Sequence, residues 1–109
     1  MNKSLENATA NAFFQTISDL KTTEQIKTFF SDFLTQKELE NLSKRLAIIY
    51  WLKKGRNHEN IRNNLKVSLK KISQTKPFLG KNGVKLALKY LEAEEWSKKW
   101  SQKIKGLIK

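Results

Sequence analysis

The stretch that decides the fold is residues 57–78, which read NHENIRNNLKVSLKKISQTKPF. Ile61 and Leu65 are four residues apart, so they lie on one face of a short helix. Val67 then falls in a turn, and Ile72 lies on the inner face of a second short helix. This spacing predicts a helix-turn-helix, in which two helices meet at a steep angle over a shared apolar plug. The same spacing also fits an ordinary basic helical hairpin, and spacing alone does not choose between the two.

The second helix of this motif is expected to expose a polar and basic surface made of Lys70, Lys71, Ser73, Gln74 and Lys76. In the major groove of DNA, lysine reaches the acceptor atoms of guanine, and glutamine pairs with adenine. Several lysines together also neutralise backbone phosphates. These residue types therefore suit a DNA-binding surface on this helix.

Two residues depart from the usual helix-turn-helix pattern. Arg62 stands where such motifs usually carry a small residue, and Lys66 stands where they usually carry glycine. The turn needs a positive φ, which costs lysine on the order of 1 kcal/mol relative to glycine. Arg62 fits if its stem lies along the surface and its charged head reaches outward, toward a phosphate.

Outward from this motif, apolar side chains recur every three to four residues, which predicts an all-α chain of six helices without strands. The first predicted helix covers residues 4–20, and the second begins at a cap at Thr22 or Thr23. The third runs from Thr35 to Gly55, and the fourth covers residues 57–65. The fifth runs from a cap at Ser68 to Pro77, and the sixth covers residues 84–104. Thr35 and Glu38 form a capping box that starts the third helix. Trp51 is expected in the core, and Gly80 and Gly83 are expected to frame a loop.

Charge and composition narrow the choice of function. The 109 residues include 22 lysines and arginines against ten acidic residues, for a net charge of +12. Seven of these cations lie in residues 56–82, opposed only by Glu59, for a local charge of +6. Such a concentration of positive charge points to a polyanionic partner.

The residue types argue against an enzyme and against a metal site. The chain has no cysteine and one histidine, which excludes a disulfide scaffold and leaves no plausible zinc ligand set. It also has no glycine-rich phosphate loop and no nucleophile beside a base. No apolar run reaches the roughly 18 residues of a membrane span, and the first residues lack the order of a signal peptide. We therefore expect a cytoplasmic protein without membrane insertion.

Several segments come in a recognisable order: SDLKT at residues 18–22, FFSDFLTQKEL at 29–39, KRL at 44–46, LKKG at 52–55, and then Ile61, LKVS at 65–68 and IS at 72–73. With this order and spacing, residues 13–79 resemble the Trp repressor superfamily, and most of all its small bacterial Trp-repressor-like members. The resemblance implies an intertwined, all-helical homodimer that binds operator DNA as a transcriptional repressor. Swapped helices would also enlarge the core, which is thin in so short a chain.

The resemblance assigns functional residues and segments. The family's base-reading helix falls on Leu69, Lys70 and Ser73, and a phosphate-contacting basic residue of the preceding helix falls on Arg62. With the exposed residues above, the predicted DNA-binding set is Arg62, Lys66, Ser68, Leu69, Lys70, Lys71, Ser73, Gln74 and Lys76. The predicted organisation is one domain over residues 1–109, with dimerisation helices (1–54), the helix-turn-helix (57–78) and a C-terminal amphipathic basic helix (83–109).

The family's tryptophan pocket falls on residues that depart from its pattern: Thr35, Arg45, Gln74, Thr75 and Phe78. The arginine that stacks over the indole is matched by Arg45. A second arginine and the glycine after it are replaced by Gln74 and Thr75, and a ligand-binding serine is replaced by Phe78. Gln74 cannot form the charge-assisted bidentate bond to a carboxylate. We therefore expect no tryptophan corepressor and no other cofactor, and any effector is a different molecule.

Two other functions fit the sequence. The chain could be a sequence-indifferent nucleic-acid or nucleoid-associated protein, in which Lys66, Lys70 and Lys71 only release counterions. It could also be a protein-interaction adaptor that kept the fold and lost DNA readout. The basic C-terminal stretch around Trp96 and Trp100 fits packing on a dimer core, additional DNA binding or contact with anionic lipid.

Overall fold

The structure of the chain, a computed structural model, describes residues 1–93. Its regular elements are α1 (Lys3–Asp19), α2 (Thr23–Phe33), α3 (Gln36–Lys53), α4 (His58–Leu65), α5 (Leu69–Thr75), a 3₁₀ helix (Lys76–Gly80) and α6 (Asn82–Ala93). Because this part of the chain holds six α-helices and no strand, the predicted all-α fold is confirmed. The chain divides into two compact units, Met1–Glu40 and Asn41–Lys109. The expected single domain over residues 1–109 stays a prediction.

The first unit, Met1–Glu40, contains α1, α2 and the first turn of α3. The Asn2 side chain accepts a hydrogen bond from the Leu5 N–H at 2.8 Å, and the Thr22 hydroxyl accepts one from the Gln25 N–H at 3.1 Å. Each bond satisfies a backbone donor that the start of a helix leaves open. Thr22 is one of the two caps that the sequence predicted for α2.

The first unit leaves several of its large apolar side chains exposed. The rings of Phe29 and Phe33 stack with centroids 4.9 Å apart, and the ring of Phe13 stacks on that of Phe33 at 5.9 Å. Phe14 is nevertheless 64% exposed and Phe33 is 57% exposed. No residue of α1 or α2 is buried. Within one chain, these two helices therefore do not close a core around their aromatic rings.

α3 begins at the predicted capping box. The Thr35 hydroxyl accepts from the Glu38 N–H at 3.1 Å, and the Glu38 carboxylate accepts from the Thr35 N–H at 2.9 Å. The hydrogen bonds from the backbone and the side chain of Thr35 lower the pKa of Glu38. The box is confirmed, and it is strongest when Glu38 is ionised.

The end of α3 is set by Gly55, which has a φ of +83°. The Gly55 N–H donates to the Leu52 carbonyl oxygen at 3.0 Å, and the Arg56 N–H donates to the Trp51 carbonyl oxygen at 3.1 Å. Glycine adopts this φ without the steric penalty of a Cβ, as the sequence predicted for this position. The Arg56 guanidinium lies over the Trp51 ring, 4.2 Å from its centroid.

The second unit has a closed core. Its buried side chains come from α3, α4, α5 and α6: Ile48, Ile49, Tyr50, Trp51, Ile61, Ile72 and Leu88. Ile61 and Ile72 are 0% exposed, and Trp51 is 2% exposed, as predicted for a core residue. Burial of each such side chain contributes about 1.5–3 kcal/mol. The core therefore fixes α4 and α5 from the inside.

The end of α5 agrees with the sequence, and the start of α6 does not. α5 ends at Thr75, and Pro77 lies in the 3₁₀ helix, because proline has no N–H to continue an α-helix. The expected loop between Gly80 and Gly83 is wrong, since α6 begins at Asn82 and contains Gly83. The 3₁₀ helix fills the connection between α5 and α6, and the Lys81 N–H donates to the Phe78 carbonyl oxygen at 3.0 Å.

The predicted last helix, residues 84–104, is described only in part. α6 covers its first residues and is described as far as Ala93. The remainder of the predicted C-terminal helix, including Trp96 and Trp100, lies outside the described residues.

Candidate nucleic-acid interface

α4 and α5 form the predicted helix-turn-helix. Ile61 of α4 and Ile72 of α5 both lie in the core, and Leu65 and Val67 pack against it. Asn57 caps α4 by accepting from the Asn60 N–H at 2.8 Å. These contacts are the apolar plug that the spacing of residues 57–78 predicted.

The turn between the two helices is made by Lys66. Its φ of 57° and ψ of 50° are those of the left-handed region, and its N–H donates to the Arg62 carbonyl oxygen at 2.9 Å. The Ser68 hydroxyl then starts α5 by accepting from the Lys71 N–H at 3.0 Å. Lys66 is exposed. The predicted positive φ is confirmed, and the lysine keeps a charge at the position that favours glycine.

α5 presents one polar face to solvent. Lys70, Ser73 and Gln74 are all exposed, and their spacing of three and four residues places them on the same side of the helix. Leu69 at the start of the helix is 44% exposed. Lys71 is half-buried. Four of the predicted DNA-binding residues are therefore accessible on this short helix.

The positive charge around α5 is available to a partner. Lys66, Lys70 and Lys76 are exposed, and Lys76 follows α5 in the 3₁₀ helix. Among residues 1–93, no carboxylate lies within ion-pair distance of these three ammonium groups. Within residues 1–93 these three charges therefore have no acidic partner, which suits binding to phosphates.

Arg62 differs from these lysines because it already has an acidic partner. Its Nη2 atom donates to the Glu59 Oε1 atom at 3.0 Å, and its Nε atom donates to Asn63 Oδ1 at 3.4 Å. All three residues belong to α4. The pair was not predicted from the sequence, although an acid and a base three residues apart on a helix are a signal for such a pair.

The residues predicted for an effector pocket have different surroundings. The Arg45 guanidinium lies over the Phe78 ring at 5.4 Å, and the Lys81 ammonium lies over the same ring at 5.7 Å. Thr75 is 3% exposed, and its hydroxyl donates to the Lys71 carbonyl oxygen at 2.7 Å. Gln74 is exposed. The structure thus brings together Arg45 and Phe78 from this set.

Thr35, the remaining residue of that set, belongs to the first unit, where its hydroxyl takes part in the capping box. A groove of about 770 Å³ in the second unit involves none of the predicted effector residues. It is lined by Leu52, Lys53, Leu79, Lys85, Leu86, Leu88, Lys89 and Glu92. The sequence analysis did not predict this groove.

The described part of the chain contains neither a metal-binding cluster nor a membrane-spanning helix. Residues 1–93 contain no cluster of histidine or acidic side chains that could hold a metal ion. None of the helices in this range is both long enough and apolar enough to span a membrane.

Comparison with known proteins gives one match. The family model described as Trp repressor protein matches residues 8–92, which include all of α2 to α5 and most of α1 and α6. Comparison with curated proteins and with solved structures finds no match.

Proposed function

Because the chain belongs to the Trp repressor family, a family of DNA-binding helix-turn-helix regulators, we propose that it represses transcription by binding specific sites on double-stranded DNA. The observation that carries this proposal is the polar face of α5. Lys70, Ser73 and Gln74 share one exposed side of the helix, while Ile72 anchors the other side in the core. A fixed helix with polar groups on its outer side suits readout of base edges in the major groove.

Each exposed group of α5 has a preferred partner on DNA. Lys70 suits the O6 and N7 atoms of guanine, and Gln74 suits the N6 and N7 atoms of adenine. Ser73 accepts or donates and therefore fits either base. The half-exposed Leu69 suits the methyl group of thymine.

The phosphate contacts come from both helices and the segments beside them. In this proposal Lys66, Lys71, Lys76 and Arg62 neutralise phosphates, and Ser68 lies at the end of α5 that enters the groove. Such contacts fix the register of the protein on the duplex and carry no base information. They make the affinity fall steeply as the salt concentration rises.

We propose further that the protein acts as a homodimer. The exposed rings of the first unit, above all Phe14 and Phe33, form an apolar surface that a second copy would cover. A two-fold dimer presents two copies of α5, so its half-sites would lie about one helical turn, or roughly 34 Å, apart.

Binding does not depend on tryptophan in this proposal. The Arg45 guanidinium already lies over the Phe78 ring, 5.4 Å from its centroid, so this ring competes with a planar ligand for the arginine. The Thr75 side chain is buried, and Gln74 lacks the charge that a carboxylate requires. Another effector, if there is one, has a different chemistry.

A second candidate function is sequence-indifferent binding to nucleic acid as a nucleoid-associated protein of the cytoplasm. The charge favours it, since the chain carries +12 in total and residues 56–82 carry +6 of that. In this case the lysines act by counterion release, and the bases are not read.

Selection of the purified chain against sheared genomic DNA, near physiological salt and with sequencing of the bound fragments, separates the two functions. A shared palindromic motif with half-sites one helical turn apart supports the repressor. Enrichment without a motif, with a steep loss of affinity as salt rises, supports the nucleoid function instead.

Two variants then test the assignment of α5. Under base readout, Lys70→Ala and Ser73→Ala each cost about 1–3 kcal/mol at the selected site and relax the base preference. Under electrostatic binding, Lys70→Ala weakens all sequences alike and Ser73→Ala has no effect. If neither variant changes DNA affinity at about 150 mM salt, α5 is not the reading helix.

A further inference from the structure

Arg62 and Glu59 form a surface pair on the helix that precedes the reading helix. The two side chains are 41% and 73% exposed, so solvent and a macromolecular partner both reach them. Glu59 is the only acidic residue in residues 56–82, a segment that otherwise carries seven cations. An isolated acid at this place therefore has a strong local effect on the field that DNA meets.

The geometry of the pair blocks one edge of the arginine. Nη2 donates to Glu59 at 3.0 Å and Nε donates to Asn63 at 3.4 Å. These two nitrogens form one of the two edges through which a guanidinium grips a carboxylate or a phosphate with two parallel hydrogen bonds. A DNA phosphate reaches this edge only after the Glu59 carboxylate has left it.

We propose that Glu59 competes with the DNA backbone for Arg62 and so lowers the part of the affinity that does not depend on sequence. The proposal rests on the DNA binding proposed above, which supplies the competing phosphate. Contacts to phosphates hold a protein on any duplex, whereas base contacts hold it at its site. A carboxylate that occupies a phosphate-binding arginine therefore restrains binding to the wrong sequences.

The exposed position of the pair makes the competition reversible. An ion pair at the surface contributes only about 0.2–1 kcal/mol, because water and salt screen it. A phosphate in the focused field of DNA can therefore displace Glu59. Asn63 is neutral and offers a single acceptor, so it orients the guanidinium without competing for its charge.

Glu59→Gln tests the proposal, because it keeps the shape of the side chain and removes its charge. We expect this variant to bind a random-sequence duplex about 3- to 10-fold more tightly than the wild type at about 100 mM salt. The slope of log affinity against log salt concentration should become steeper by up to about 0.9, the value for one complete added phosphate contact. Glu24→Gln, an equal charge change in the first unit, is the matched control and should leave both quantities unchanged.

A double-mutant cycle separates competition for Arg62 from simple repulsion of DNA by an acidic residue. In an Arg62→Gln background there is no guanidinium for which Glu59 and a DNA phosphate can compete. Adding Glu59→Gln should then change the affinity for DNA by less than about 2-fold. If the gain from Glu59→Gln is the same in both backgrounds, Glu59 acts only as a repulsive charge and the proposal is wrong.

The remaining outcomes also decide the matter. Glu59→Gln could instead lose affinity for DNA or change the base preference at the selected site. Either result would mean that Glu59 itself contacts DNA, and the proposal would be wrong. If the wild type binds DNA and Glu59→Gln binds it equally well, this inference fails and the proposed function stands. If the wild type binds no DNA at about 100 mM salt, the proposed function fails and the inference falls with it.

Discussion

The two units of this chain bury their apolar side chains to very different degrees. In the second unit, seven large side chains form a closed core, and Ile61 and Ile72 lose all contact with solvent. In the first unit, α1 and α2 are of ordinary length and carry five phenylalanines, yet they bury no residue. Both units are amphipathic in sequence, so the pattern of residues alone does not separate them.

The difference shows that contacts within one chain close the core of the second unit and leave the rings of the first unit exposed. The helix-turn-helix is held by contacts between α3, α4, α5 and α6 of the same chain, so its shape does not require a partner. The rings of Phe13, Phe14 and Phe33 gain little from one another while they face water. A second copy that covered these rings would stabilise the assembly by about 25 cal/mol for each Å² of apolar surface removed from water.

The largest effect should follow from opening the closed core. Ile61→Ala removes a side chain that is 0% exposed and should lower the free energy of unfolding by about 2–5 kcal/mol, because a cavity remains. Leu69→Ala, at a side chain 44% exposed in the same motif, is the control and should cost less than about 1 kcal/mol. Urea denaturation measures both. Equal losses would show that this core is not closed in solution.

A smaller effect should follow from trimming the open face of the first unit. Phe33→Ala removes the ring that stacks on both Phe13 and Phe29, and it should weaken self-association by about 10- to 100-fold. Ser31→Ala, on the same helix, is the control. Sedimentation at several protein concentrations measures the change. A wild type that stays monomeric at every concentration would contradict the proposed dimer.

The turn of the helix-turn-helix offers a stabilising change. Lys66→Gly should raise the free energy of unfolding by about 1 kcal/mol, because glycine adopts the observed φ of 57° without strain. Lys70→Gly removes the same charge from inside α5 and should have the opposite sign, at a cost of about 1 kcal/mol. Thermal unfolding distinguishes them. A loss of stability in both would mean that Lys66 is held by contacts other than its backbone.

The smallest effect concerns the capping box at the start of α3. Hydrogen bonds with Thr35 lower the pKa of Glu38 below its ordinary value of 4.5, so the ionised form is favoured in the folded chain. The box therefore stabilises the fold above that ordinary pKa, and this contribution is lost as the pH falls through the lowered pKa. Glu38→Gln should remove this part of the pH dependence, which denaturation at a series of acidic pH values measures. An unchanged pH profile would show that the box does not form in solution.

Much of the second unit could be predicted because its signals are local. Ser68 as a cap, Gly55 as a helix end and Pro77 as the limit of α5 each follow from the chemistry of one residue and its nearest neighbours. The positive φ of Lys66 follows from the glycine that helix-turn-helix motifs usually carry at this place. The plug of Ile61 and Ile72 needs only the helical spacing and a short connection between two helices.

Other features could not be read in this way because they depend on tertiary contacts. Phe78 lies under Arg45 although the two residues are far apart in sequence, and no periodicity indicates that contact. Gly83 suggested a loop, but the 3₁₀ helix already fills the connection between α5 and α6. The ion pair between Glu59 and Arg62 is different, because it is local. Its spacing of three residues on one helix is enough to predict it.

Trp51 gives the second unit an optical signal of its own. Its ring is 2% exposed and one face is covered by the Arg56 guanidinium at 4.2 Å. An indole kept from water fluoresces at shorter wavelength, and dissolved iodide or acrylamide does not reach it. The chain has three tryptophans, so Trp96→Phe with Trp100→Phe leaves Trp51 as the single emitter. Stopped-flow refolding, monitored by Trp51 fluorescence, would then measure how fast the helix-turn-helix core forms. This rate could be separated from that of any dimerisation.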